Sequence, residues 1–104
     1  MEVQEKTLEL IETDQYDVIS IPTFDYDNAA HAFGPESKQG LNAISLEAEG
    51  FHRIAEALER YRDQHRILLT YSPDHGQHAV MGGTGQHGSK MIEDMNILHF
   101  FGTI

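Results

Sequence analysis

The sequence predicts a small α/β domain in which one long helix crosses over between neighbouring strands of a small, mostly parallel sheet. Two short apolar runs, at residues 16–22 and 66–72, have the β-branched and aromatic composition of strands. Between them, residues 35–62 carry apolar side chains at alternating intervals of three and four, which is the pattern of an amphipathic helix. Because strand, helix and strand in this order form a β-α-β unit, the two strands are expected to be parallel.

The segments before the long helix are shorter and less regular. Residues 3–12 are predicted to form a short helix, and residues 16–22 form the first predicted strand, which ends at a proline. The Asp, Asn and Gly residues of 23–34 indicate a loop or a short helical turn.

The long helix and the segments after it complete the predicted domain. Pro35 is expected to open the helix, because a proline in the first turn does not disturb its hydrogen bonds, and the helix runs to about residue 62. Gly50 lies inside it and predicts a kink or a close packing contact. After the second strand, residues 76–90 contain many glycines and are predicted to form a long loop, and residues 97–101 suggest a third strand.

The composition predicts one acidic domain. The 104 residues fit a single domain, residues 1–104, and the formal net charge is -10. Nucleic-acid backbones and anionic membrane surfaces repel such a charge, so we expect neither as a partner. The sequence has no cysteine, which excludes disulfides and thiolate metal sites. A charged N-terminal segment and the lack of a long apolar run predict a cytoplasmic protein.

Five side chains that commonly bind metals follow the predicted strands. Asp27 and His31 are four residues apart after the first strand, so one helical turn would place them on the same face. Asp74 and His75 follow the second strand, and His87 lies in the glycine-rich loop. Carboxylate oxygens and imidazole nitrogens suit zinc or manganese. Taken alone, each motif also fits a surface ion pair, an ordinary turn or an exposed loop tip.

The remaining ionisable side chains are expected to have lesser roles. His78 lies three residues after His75 and is a further candidate for approaching a metal. The neighbouring acidic residues Glu93 and Asp94 are expected to be solvated.

The order of these motifs resembles the C-terminal half of the alkaline phosphatase superfamily, which includes nucleotide pyrophosphatase/phosphodiesterases and phosphonate hydrolases and mutases. The resemblance covers about residues 15–102 and rests on three segments: FDYDNAAHAFGPES, LLTYSPDHGQH and GQHGSKMIEDMNILHFFG. The first is similar to the family's Asp-x-x-x-His-x-x-Gly-Pro-x-Ser element, and the second to its strand followed by Asp-His-Gly. The third is similar to the closing segment, which begins with a histidine ligand.

The resemblance implies one or two divalent metal ions, zinc or manganese, and phosphatase or phosphodiesterase chemistry. Asp27, His31 and His87 match the ligands of one ion, and Asp74 and His75 match two ligands of the other. In the family, a Ser or Thr nucleophile and a further Asp ligand come from an N-terminal half. Only about fifteen residues precede the first predicted strand here. The chain is therefore expected to be inactive alone.

Three functions stay open from the sequence. The first is the metal-binding part of a phosphate-ester hydrolase, with a phosphate-type small molecule as its ligand and another chain supplying the missing half. The second is a metal-binding module without catalysis, and the third is a metal-free interaction protein. A sheet this small would expose an edge and an apolar face, which predicts a homo-oligomer, most simply a dimer.

Overall fold

The computed structural model describes residues 2–104, and these residues contain four helices. Helix α1 spans Glu2–Thr13, α2 spans Asp25–Phe33, α3 spans Lys38–Glu59 and α4 spans Ile92–Met95. Helices α1 and α3 confirm the two helices predicted from the sequence. Helix α2 has nine residues and lies where the sequence predicts a loop or a short helical turn, whereas α4 was not predicted. Nowhere in residues 2–104 does a helix have both the length and the apolar character needed to cross a bilayer.

The long helix begins at a serine cap and not at Pro35. The side chain of Ser37 accepts a hydrogen bond from the Gly40 amide at 3.0 Å. Such a cap satisfies one of the amide groups that have no partner in the first turn of a helix. The helix therefore begins at Lys38, later than predicted, and ends at Glu59.

The strands of residues 2–104 form two antiparallel pairs. Strand β1 (Leu68–Tyr71) pairs with β4 (Phe100–Thr103), and β2 (His78–Ala79) pairs with β3 (Gly85–Gln86). The described residues therefore do not show the predicted, mostly parallel sheet. The long loop predicted at residues 76–90 contains the β2–β3 hairpin, and the third predicted strand is shifted by three residues to β4.

Residues 16–22, predicted as the first strand, lie in no strand. Ile19 and Ile21 are half buried against the core, whereas Val18 is 85% exposed. A strand needs a neighbour about 4.8 Å away to form its ladder of hydrogen bonds. Instead, this segment and β1 line a cleft of about 630 Å³. The segment keeps the alternating burial of a strand but has no partner in residues 2–104.

The apolar core lies where α1 and α3 meet, with β1 beside them. Its buried members are Ile11, Ile54 and Ala57. Partly buried side chains surround them: Leu8, Ile19, Ile21, Leu58, Tyr61 and Leu69. A β-carbon at Gly50 of α3 would overlap the Gln4 amide of α1, so the predicted close packing contact at this glycine is present. Helix α3 also packs against α2 and so connects the core to Asp27 and His31.

Candidate metal centre

Helix α2 places Asp27 and His31 on one face, as their spacing predicts. Nε2 of His31 lies 3.5 Å from Oδ1 of Asp27. Nδ1 of the same ring donates a hydrogen bond to the Gly85 carbonyl at 3.0 Å. Because a neutral imidazole carries only one N–H, this bond leaves the lone pair on Nε2. Strand β3 thus fixes the tautomer that a metal ligand binding through Nε2 requires.

Two further histidines approach the same carboxylate oxygen. Nε2 of His87 lies 3.4 Å from Oδ1 of Asp27, and Nε2 of His75 lies 3.7 Å from it. The rings of His75 and His87 are stacked, with centroids 3.6 Å apart. Asp27, His31 and His87 each offer one ligand atom, and these three atoms lie within 4.8 Å of one another. Three imidazoles therefore surround one oxygen of Asp27.

The distances from the three imidazole nitrogens to Oδ1 of Asp27 exceed those of hydrogen bonds and are close to those between atoms that share an ion. Hydrogen bonds from N–H to oxygen are about 2.7–3.2 Å long, and the three contacts to Asp27, at 3.4, 3.5 and 3.7 Å, are longer. Two ligand atoms about 2.1 Å from a tetrahedral zinc lie about 3.4 Å apart. The side chains of Asp27, His31 and His87 are 32%, 34% and 31% exposed, so an ion could reach them from solvent.

Asp74 lies at the rim of this cluster. Its Oδ1 is 3.5 Å from Nε2 of His75, but its side chain is 90% exposed. Nδ1 of His75 donates to the Gly76 carbonyl at 2.9 Å, which leaves the lone pair on Nε2 between the two carboxylates. The structure thus gathers three of the other four candidate residues around Asp27 and leaves Asp74 at the edge.

Gln77 makes a contact with the cluster that the sequence does not predict. Its Nε2 donates a hydrogen bond to Oδ1 of Asp27 at 2.6 Å. Its Oε1 is buried and has no hydrogen-bond partner within residues 2–104. A donor of this kind orients a ligating carboxylate. A glutamine in a glycine-rich segment carries no local signal of such a role, because the contact arises only when the β2–β3 hairpin packs on α2.

Asp94 is buried, which corrects the prediction that it is solvated. It is 3% exposed, and its Oδ1 accepts a hydrogen bond from Nδ1 of His78 at 2.7 Å. Burial raises the pKa of Asp94, but the hydrogen bonds from His78 and Ser89 outweigh it and lower the pKa to about 2. Asp94 is therefore ionised at neutral pH. His78 binds this carboxylate through Nδ1, and it is not among the residues that surround Asp27.

Comparison with known proteins finds similarity to a phosphotransferase. Over 62 residues, or 60% of this chain, the sequence is 32% identical to GPI ethanolamine phosphate transferase 1 of Gibberella zeae. That protein is a member of the alkaline phosphatase superfamily, so the similarity gives loose support to the resemblance described above. The chain spans 6% of the length of this relative. No protein-family profile and no solved structure matches the chain.

Proposed function

We propose that this chain is a metal-binding part of an alkaline-phosphatase-like enzyme that acts on phosphate esters, with Asp27, His31 and His87 as ligands of one zinc or manganese ion. One observation carries the proposal. The Nε2 atoms of His31 and His87 approach Oδ1 of Asp27 to 3.5 and 3.4 Å, which is the spacing of ligands that share an ion, and the bond from His31 to the Gly85 carbonyl leaves the lone pair of His31 on Nε2. The similarity to a phosphate transferase supports phosphoryl chemistry over other uses of such a site.

Asp74 and His75 are proposed as ligands of a second, weaker ion beside the first. Their ligand atoms are 3.5 Å apart, and the exposure of Asp74 leaves room for a further ligand or a substrate. Ions at these positions would polarise a phosphoryl oxygen and stabilise negative charge that develops on it. The chain's own contribution is to orient the ligands. Gln77 holds the Asp27 carboxylate, and the Gly85 carbonyl holds the His31 ring.

We also propose that the nucleophile and the further ligand come from outside these residues, and that this chain associates with a second copy of itself. Large apolar side chains that are exposed near the strands support such an association: Val18 is 85% exposed, Leu68 65% and Phe101 79%. We expect light scattering of the purified chain to give the mass of a dimer. A monomeric mass at all concentrations would contradict the proposed dimer.

Elemental analysis tests the metal site directly. We expect the wild-type chain to hold about one zinc or manganese per chain, and we expect His31→Ala and His87→Ala each to lose most of it. Removing a ligand should weaken binding by more than the roughly 10- to 100-fold that follows from losing a hydrogen-bond partner of a ligand. His52→Ala is the matched control, because the side chain of His52 is 70% exposed and forms an ion pair with Glu56, away from the residues around Asp27.

The three variants also separate the possible functions. Metal retained equally in all of them would contradict the proposed site. Metal bound by the wild type, without hydrolysis of a chromogenic phosphate ester or diester, is expected both for an enzyme part without its nucleophile and for a non-catalytic metal-binding module. Hydrolysis that disappears in His87→Ala and persists in His52→Ala would support the enzyme.

A further inference from the structure

Asp94 joins three segments of chain around the candidate metal centre. Its Oδ1 accepts the hydrogen bond from His78 at 2.7 Å. Its Oδ2 accepts two, from the amide and the hydroxyl of Ser89, at 2.9 and 2.7 Å. Its main-chain carbonyl accepts a fourth, from the Gly76 amide at 2.8 Å. A short helix of four residues, α4, thus places one buried carboxylate where separate parts of the glycine-rich region meet.

The partners of Asp94 lie next to two of the candidate ligands. Gly76 directly follows His75, and Ser89 is two residues after His87. Apart from the bonds to Asp94, the stretch after His75 is connected to the stretch before His87 by the β2–β3 ladder, which has two residue pairs. So short a ladder is a weak constraint on the two histidine rings, and the bonds to Asp94 are the additional constraint on both of them.

We infer that Asp94 is a positioning residue that holds His75 and His87 in their stacked arrangement beside Asp27. The inference rests on the proposed metal site, because it assigns to Asp94 the placement of two histidines of that site. Asp94 itself does not approach the ion in this assignment. It acts through the main chain at Gly76 and through Ser89, and so fixes where the two imidazole nitrogens point.

The carboxylate of Asp94 is the acceptor in every hydrogen bond that its side chain makes. Two donors face Oδ2 and one faces Oδ1. In Asp94→Asn the size of the side chain is unchanged, but one oxygen becomes an NH₂ group that cannot accept a hydrogen bond. The NH₂ group can keep a bond to His78 only if that imidazole changes its tautomer, and the bonds from Ser89 lose the strength that a negative charge gives them. This substitution therefore tests the side-chain bonds, and it leaves the packing volume and the main-chain bond to Gly76 the same.

Proton NMR of the metal-free chain tests the placement of the rings. In the wild type, ring centroids 3.6 Å apart should give a nuclear Overhauser effect between the ring protons of His75 and His87. We expect Asp94→Asn to lose this effect and Glu93→Gln to keep it, because Glu93 is an exposed carboxylate directly beside Asp94. Unchanged amide shifts in α1 and α3 would show that the variant is folded. Ser89→Ala removes only one donor and should weaken the effect in the same direction.

Zinc titration of the same variants gives the second measurement. We expect Asp94→Asn to bind zinc about 10- to 100-fold more weakly than the wild type, with Glu93→Gln unchanged. A ring-to-ring effect that persists in Asp94→Asn, or a zinc affinity equal to that of the wild type, would overturn the inference. If the wild type itself binds no zinc, the proposed function fails, and the ring-to-ring effect alone still decides whether Asp94 positions the two histidines.

Discussion

Replacing Gly85 by alanine should remove most of the metal affinity and leave the core between α1 and α3 folded. A β-carbon at residue 85 would overlap the Ala30 carbonyl oxygen and would lie 2.9 Å from both the Ala30 carbonyl carbon and Oε1 of Gln77. Ala30 is a buried residue of α2, so neither backbone can move aside cheaply. Strand β3 would be pushed away from α2, which breaks the His31–Gly85 hydrogen bond and carries His87 away from Asp27.

The expected size of this effect follows from the contacts that are lost. Overpacking of this kind costs about 1–3 kcal/mol locally, and the displaced ligand should lower zinc affinity by at least about 10- to 100-fold. Isothermal titration with zinc measures the affinity, and circular dichroism follows the helices. Gly102→Ala is the matched control, because a β-carbon there would meet nothing within 4 Å. Equal zinc affinity in both variants would contradict the proposed packing of the hairpin on α2.

The helices were predictable because their signals are local. The apolar stripe of α3 repeats every three or four residues, and a helix of this length satisfies most of its backbone groups by itself. The exact start was not predictable from Pro35 alone, because the Ser37 side chain bonds to the Gly40 amide and sets the first turn. Helix α4 has only four residues, which is too short for any period to show.

The strands were less predictable because a strand depends on a partner that lies elsewhere in the chain. Residues 16–22 have a β-branched composition, yet they have no partner in residues 2–104. Strand β1 pairs instead with β4 in the antiparallel sense. Composition and alternation describe a residue's preference for an extended backbone and a half-buried face. They carry no information on which segment will lie 4.8 Å away or in which direction it runs.

The sequence predicts which residues lie close to Asp27, but it does not predict which elements of the fold bring them there. The spacing of Asp27 and His31 alone places both on one helical face, and the structure shows this. The other candidate ligands follow predicted strands, and a parallel sheet would have placed them together beyond the ends of those strands. In the structure, the β2–β3 hairpin packs on α2 and brings His87 to Asp27.

The outer contacts of the site could not be predicted at all. Glu93 and Asp94 are adjacent acidic residues, and only the fold makes the first exposed and the second 3% exposed. The pKa of about 2 for Asp94 follows from His78 and Ser89, which are 16 and 5 residues away in the chain. Contacts of this kind depend on a loop conformation that has no periodic signal.

Glu47→Ala should lower the stability of the whole domain, because this buried side chain of α3 bonds to both α2 and β1. Glu47 of α3 is 7% exposed, and its two oxygens have different partners. Oε1 accepts a hydrogen bond from the Tyr26 amide at 3.2 Å, and Oε2 accepts one from the Tyr71 hydroxyl at 3.1 Å. Tyr26 lies in the first turn of α2, whose cap residue Phe24 makes no side-chain hydrogen bond, so Glu47 satisfies an amide that the helix itself cannot.

The bond to Tyr71 extends the effect to β1. Burial, together with the adjacent charge of Glu47 and the hydrogen bond to it, raises the pKa of Tyr71 to about 12, so the hydroxyl stays a donor at any physiological pH. In Glu47→Ala, one amide and one hydroxyl lose their acceptor in a partly buried place, and a cavity replaces the side chain. Each unsatisfied group costs about 1–3 kcal/mol, so the two groups give an expected loss of about 2–6 kcal/mol in the free energy of unfolding.

Urea unfolding of two matched variants measures this loss. Glu49→Ala removes an exposed glutamate two residues away on the same helix and should change the free energy of unfolding by less than about 0.5 kcal/mol. Glu47→Gln keeps one acceptor oxygen, so it should lie between the wild type and Glu47→Ala. If Glu47→Ala unfolds at the same urea concentration as Glu49→Ala, then Glu47 does not connect α2 and β1 through α3. Helix α2, which carries Asp27 and His31, would then be held in place by its packing contacts with α3 alone.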